Sequence, residues 1–231
     1  MQSIYKDQTY LALNPTWHEE DSPWKAEQVL RMLRQHKLPI RSVAEVGCGV
    51  GGILARLRDV LPDYVEFHGF DIAPDAIERA KKRECDRLHF HNQDLFTTVE
   101  HYDLLLAIDV VEHVPDYLGF LERCQAKARF KIYHIPLDLH VSSVIRASFL
   151  DARKTAGHIH YFTSESALAS LADTGHKIVD FFYTDGGLAL ARLHPSVRRS
   201  IANVPRRLIS VFSTRWAARL LGGYSLLVLA E

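Results

Sequence analysis

A carboxylate stands two residues ahead of a run of glycines. In the stretch AEVGCGVGG, Glu45 precedes Gly47, Gly49 and Gly52, with Cys48 between the first two glycines. Such a turn, placed between a strand and a helix, lets backbone N–H groups approach a ligand closely. The carboxylate beside it suits a ligand carrying a cationic amino group. Asp71, followed by Ile72, can accept hydrogen bonds from both hydroxyls of a ribose, charged bonds worth about 1.5–3 kcal/mol each. Asp94 and Leu95 in NQDL are expected beside the base on that ribose. The stretch AIDVVEHVPD supplies Asp109 and, one helical turn on, His113. His134 in HIPLD, and His158, His160 and Tyr161 in GHIHYFT, add groups that can face an acceptor. A histidine with near-neutral pKa can deprotonate a hydroxyl, which makes His113, His134, His158 and His160 the candidates for one general base. Upstream, Trp17 and Trp24 flank turn-forming prolines and suggest a lid over the ligand. No H-E-x-x-H or cysteine pair occurs, and no carboxylate lies at useful spacing from His158 and His160, so no metal is expected.

The elements that must hold these residues alternate. SVAEVG, YVEFHGFD, RLHFHNQD, YDLLLAID and FKIYHIP read as strands. Helices are expected over Ile53–Leu61, over PDAIERAKKR with Pro74 in its first turn, and over PDYLGFLERCQAK. This alternation predicts a parallel sheet covered on both faces, with ligands beyond the carboxyl ends of its strands. Farther on, SESALASLADTGH predicts a helix with Ser164 as N-cap, KIVDFFYTD a sixth strand and YSLLVLAE a seventh. Two late strands suggest a hairpin-like edge. The expected organisation is one domain: an N-terminal helical extension over 1–39, a core over 40–185, an insertion over 186–223 and a last strand over 224–231.

Composition narrows the function. Lys+Arg and Asp+Glu balance at 28 each in 231 residues, so global charge offers no attraction to nucleic acid. Three separated cysteines predict reduced thiols in a cytoplasmic protein, with neither a disulfide framework nor a zinc site. The amino-terminal residues carry no secretory pattern, and no uncharged run reaches the roughly 18 residues that span a bilayer. Within the insertion, seven arginines (Arg192, Arg198, Arg199, Arg206, Arg207, Arg215, Arg219) occur without an acidic residue. Leu208, Ile209, Phe212, Trp216 and Leu220 recur at helical steps beside them. One reading is a cap whose apolar face covers the sheet. The other is a face for an anionic substrate or an acidic membrane surface, with peripheral attachment.

The glycine spacing alone fits NAD, FAD and S-adenosylmethionine alike. Taken in order, EVGCGVGG, GFDIA, NQDL and IDVVEHVPD resemble the class I S-adenosylmethionine-dependent methyltransferases, in the branch of ubiquinone-type and sugar- or antibiotic-tailoring O-methyltransferases. The resemblance runs from Val43 to Pro136 and, through GHIHYFTSESALASLADTGHKIVD, to about Asp180. It implies a Rossmann-like, seven-stranded, mostly parallel sheet with an antiparallel last strand and helices on both faces. It also implies S-adenosyl-L-methionine bound by Glu45, Gly47, Cys48, Gly49, Asp71, Ile72, Asp94, Leu95 and Asp109, and a small-molecule acceptor methylated on oxygen, nitrogen or carbon. A nicotinamide-dependent oxidoreductase is the first alternative. Glu45, and the lack of a Ser/Tyr-x-x-x-Lys pair after the fourth strand, argue against it. A non-catalytic protein that binds the same cofactor is the second. A nucleic-acid methyltransferase is disfavoured because no N/D-P-P-Y/F motif follows the fourth strand.

Overall fold

The computed structural model describes residues 17, 19–189 and 197–231. A helix, α1 (Ser22–His36), leads into β1 (Ser42–Val46), α2 (Gly52–Arg58), β2 (Glu66–Phe70) and α3 (Pro74–Ala80). Then come β3 (Leu88–His91), β4 (Tyr102–Ile108), α4 (Tyr117–Gln125) and β5 (Ala128–Pro136). Two short helices that sequence patterning does not mark, α5 (Val141–Arg146) and α6 (Phe149–Thr155), precede α7 (Ser164–Asp173) and β6 (Ile178–Thr184). The chain continues through α8 (Val197–Phe212) and α9 (Thr214–Leu221) into β7 (Ser225–Ala230).

The strands form one sheet in the order β3-β2-β1-β4-β5-β7-β6. Pairings from β3 through β5 are parallel, and β7 runs antiparallel to both β5 and β6. This is the Rossmann-like sheet expected, with its hairpin-like edge. Burial follows the pleat. Val43, Leu104, Leu106 and Ile132 join one apolar cluster, while their neighbours Ala44, Leu105, Ala107 and Tyr133 join the other. Strands buried on both faces explain the uninterrupted LLLAI of β4, since period-two alternation disappears when both faces are covered. Helices α1, α2 and α3 contribute to the first cluster, and α4, α7 and α9 to the second.

Two local expectations shift. The α7 cap is Thr163, not Ser164: its hydroxyl accepts from Ser166 N, and Ser166 answers by accepting from Thr163 N. This reciprocal pair satisfies two amide donors, whereas capping at Ser164 would satisfy one. The apolar steps in the insertion do not form one covering face either. Ser213 caps a new helix by accepting from Trp216 N, which breaks the run. Leu208, Phe212 and Trp216 are then exposed, and Ala217 and Ala218 are buried in their place. Of the insertion arginines, Arg192 lies outside the described residues. Arg206 bonds Asn203 and Leu221 O, and Arg215 and Arg219 pair with Glu165.

Candidate active site

The glycine loop leaves β1 and is pinned to the next strand, with Gly47 N and Cys48 N both donating to Phe70 O. Gly47 adopts φ +69°, and a Cβ there would lie 2.7 Å from Val110, so both the backbone and the space require glycine. Gly49, at φ +53°, has open space where its Cβ would be. Its N–H donates to Asp71 Oδ2 at 2.8 Å, and Ala73 N donates to Oδ1. Each Asp71 oxygen therefore keeps a second lone pair for a ligand. Burial raises the Asp71 pKa against these backbone donors.

Around the loop lies a cavity of about 380 Å3, lined by Lys25, Glu45, Asp71, Asp109, His113 and His158 among others. Trp17, Gly47, Cys48, Gly49 and Ile72 also line it. Glu45 is 1% exposed, and its Oε2 has no hydrogen-bond partner. Burial pushes its pKa well above the ordinary carboxylate value, with Lys25 opposing. The Cys48 thiol is pushed up by the same burial, so it is a packing group rather than a nucleophile.

Asp109 ends β4 with φ +54°, a strained value for a residue with a side chain. The twist aims its carboxylate at two partners. Lys25 Nζ lies 2.7 Å from Oδ2, and His134 Nδ1 lies 2.6 Å from Oδ1. Burial opposes the charge, yet Lys25 and His134 outweigh it and hold Asp109 well below the carboxylate range. Sequence reading missed Lys25 because its partner lies far along the chain. The only local signal was a cation inside an otherwise amphipathic helix.

Beyond Asp109, the turn Val111–His113 is tied to the loop before α7. Ile159 N and His160 N both donate to Glu112 O, and His113 Nδ1 donates to Gly157 O at 3.1 Å. This brings His113 and His158 together, ring centroids 4.9 Å apart. Glu112 lies between them, 1% exposed, with neither carboxylate oxygen hydrogen-bonded. Burial, with Asp109 adding to it, holds Glu112 well above the usual carboxylate range. Burial also lowers His113 to about 4, with His158 adding to the effect. His158 Nδ1 is 2.5 Å from Asp138 Oδ2. Folding therefore supplies the carboxylates that sequence spacing did not, and the expectation that His158 has none nearby is corrected.

Other expected site residues stand elsewhere. His134 is buried between Asp109 and Thr184 and does not line the cavity. His160 bonds the carbonyls of Val114 and Pro115, and Tyr161 packs on Phe149. Trp24 packs edge-on against His134, 6.0 Å between centroids, and so braces the Asp109 network from behind. Asp94 and Leu95 fall outside the cavity lining: Asp94 caps a 3-10 turn by accepting from Phe96 N, and Leu95 is fully buried in the core. Trp17 lines the cavity, while His18 and residues 1–16 of the expected lid lie outside the described residues.

Comparison with known proteins bears on the fold. Residues 44–129 match a family described as a methyltransferase domain. A ubiquinone biosynthesis O-methyltransferase from Glaesserella parasuis is 28% identical over 128 residues, 48% of this chain and 53% of the relative. The chain thus spans about half the length of that curated relative. A magnesium protoporphyrin IX methyltransferase from Synechocystis PCC 6803, solved with bound SAH, superposes with TM-score 0.60 at 17% identity, covering 90% of this chain and 82% of the other. The N-methyltransferase NodS from Bradyrhizobium japonicum, also solved with S-adenosylhomocysteine, gives 0.58 at 15% identity over 96% and 97%. The Rossmann-like fold is the one these solved methyltransferases share. Residues 44–129 are similar to the methyltransferase-domain family.

Proposed function

We propose that this protein transfers the methyl group of S-adenosyl-L-methionine to a hydroxyl oxygen of a small molecule. Glu45 carries the proposal. A carboxylate oxygen buried without a hydrogen bond is costly, by about 1–3 kcal/mol or more, until a ligand satisfies it. The ammonium of the methionine moiety would do so. In the same cavity wall, Asp71 has lone pairs left for the ribose hydroxyls, and Ile72 and Val110 offer apolar surface to adenine. Gly47, Cys48 and Gly49 would approach the ligand through their backbone. Asp109, paired with Lys25, lines the same cavity.

Transfer is an in-line displacement: the acceptor oxygen forms the new C–O bond as the C–S bond breaks, releasing a neutral thioether. The protein must align the two, exclude water and accept the hydroxyl proton. Of the four histidines, His113 and His158 line the cavity, which supports one of them as the group that accepts the proton, with Glu112 beside both. The branch of the acceptor is suggested by the relative in ubiquinone biosynthesis. A lipid-linked or phosphorylated acceptor is favoured by a second observation, the exposed apolar residues Leu208, Val211, Phe212 and Trp216 beside Arg207.

Calorimetric titration with S-adenosylmethionine, S-adenosylhomocysteine and NADH tests the cofactor. Both sulfur ligands should bind with micromolar affinity and NADH should not bind at millimolar concentration; the reverse order would end the methyltransferase reading. A screen for S-adenosylhomocysteine release over quinols, sugars and lipid-linked glycans then tests the acceptor.

A further inference from the structure

Away from the cavity, three imidazoles share one face of the sheet where β2 meets β3. His68 lies opposite His89 in the parallel register, and His91 follows two residues on, so all three side chains leave the strands on the same side. His68 Nδ1 and His91 Nε2 are 3.3 Å apart, and the ring centroids of His68 and His89 are 5.4 Å apart. We propose that His68, His89 and His91 bind one divalent transition-metal ion, Zn2+ foremost, which staples β2 to β3. The site is independent of the methyltransferase reading.

Spacing and protonation state both suit an ion. Two nitrogens at about 2.0–2.1 Å from a tetrahedral ion lie roughly 3.3–3.4 Å apart, the separation that His68 and His91 already have. A metal takes the neutral imidazole, and burial together with the neighbouring rings lowers the pKa of both His68 and His91. Carboxylates flank the group: Glu66 and Glu100 act on His68, and Glu84 and Glu100 on His91, against Lys81. Beyond the bond between His68 and His91, the three rings make no side-chain hydrogen bond among the described residues, so the lone pair of His89 is uncommitted. His89 is half-buried, and rotation of its side chain brings a ring nitrogen toward the pair, leaving a fourth position to water. Tyr102 packs on His68 and Phe70 on His91, at 5.5 and 4.7 Å between centroids, which limits the side-chain freedom that chelation must remove. Three imidazoles suit Zn2+, Cu2+ or Ni2+. Neither a cysteine pair nor H-E-x-x-H spacing marks such a site, because one ligand arrives from another strand.

The consequence falls on the strand ends. Phe67 N donates to Arg87 O and Asp71 N to His91 O, while Phe70 O holds Gly47 N and Cys48 N. An ion across β2 and β3 therefore braces the edge that carries Asp71 and the glycine loop.

Calorimetric titration of tag-free, metal-free protein with Zn2+ tests the site. One ion per chain should bind saturably at micromolar concentration, raise the melting temperature and slow amide exchange at Phe67. His68→Gln, His89→Gln and His91→Gln should each weaken binding by about tenfold or more, since even the outer partners of metal ligands are worth that much. His113→Gln should leave binding unchanged, because His113 belongs to the cavity. Circular dichroism without metal verifies that each variant folds. Absence of saturable Zn2+, Cu2+ and Ni2+ binding in folded protein would overturn the proposal. So would binding retained in His68→Gln and His91→Gln, binding lost in His113→Gln, or exchange at Phe67 unchanged at saturation.

Discussion

Asp71 and His176 show how single residues link burial to measurable behaviour. Asp71 spends one lone pair of each oxygen on the backbone of Gly49 and Ala73 and keeps the others for a ligand. Asp71→Ala should therefore weaken S-adenosylmethionine binding by about one to two decades, as expected for losing two charge-assisted hydrogen bonds. Unchanged calorimetric affinity in a folded variant would remove Asp71 from the ribose site. His176 is locked as a neutral ring: Tyr133 OH donates to Nε2 at 2.6 Å, and Nδ1 faces Leu171 O. Burial lowers its pKa from 6.5 to about 4, so between those values the unfolded chain binds the extra proton. Stability from this site is whole above pH 6.5 and declines as pH falls toward 4. Denaturation midpoints across that range should slope less in His176→Gln, which keeps a donor and an acceptor but cannot titrate. Equal slopes would rule the site out as a source.

At the scale of elements, α1 is the surprise. Its apolar face packs on the sheet through Ala26, Val29, Leu30 and Leu33, as its amphipathic spacing predicts. The same helix delivers Lys25 to Asp109; burial lowers the Lys25 pKa, but Asp109, with Asp21 and Glu112, raises it by more. Removing one partner strands the other. Lys25→Met should destabilise the fold by about 1–3 kcal/mol, measured by chemical denaturation, and adding Asp109→Asn should recover part of that loss. A double variant no more stable than Lys25→Met alone would show that the two do not act as a pair. His134 belongs to this same network, so His134→Ala should lower stability while leaving its turnover loss smaller than that of His158→Ala.

For the whole molecule, the β6–β7 edge supports an unusual surface. Helix α8 exposes Phe212 at 89% and Val211 at 81% near Arg207, and α9 exposes Trp216. No helix among the described residues is long and apolar enough to cross a membrane. Such a face fits the interface of an anionic bilayer. Co-sedimentation with vesicles should rise with anionic lipid and fall with salt. It should diminish in Phe212→Asp and in Arg207→Glu, both of which leave Arg206 to its bonds with Asn203 and Leu221. Equal, negligible binding to neutral and anionic vesicles would leave only a soluble acceptor.

Local pattern was enough for much of this. Glycine spacing, the carboxylate two residues before it and the apolar strand runs marked the loop, the parallel order and Asp71, because each depends on neighbours within a few residues. The hairpin-like edge was legible as two late strands, the second close to the end of the sequence, and its antiparallel sense came with the family resemblance. Tertiary structure decided what depends on long closures. Lys25 meets Asp109, and His158 meets Glu112 and Asp138, only after the sheet aligns β4, β5 and the loops beyond them. For the same reason it withdrew His134, His160 and Leu95 from the cavity, since burial among distant partners leaves no trace in sequence spacing. It also turned Phe212 and Leu208 outward. A helical repeat states which residues share a face, but only the cap at Ser213 and the packing of Ala217 and Ala218 determine which face the core receives.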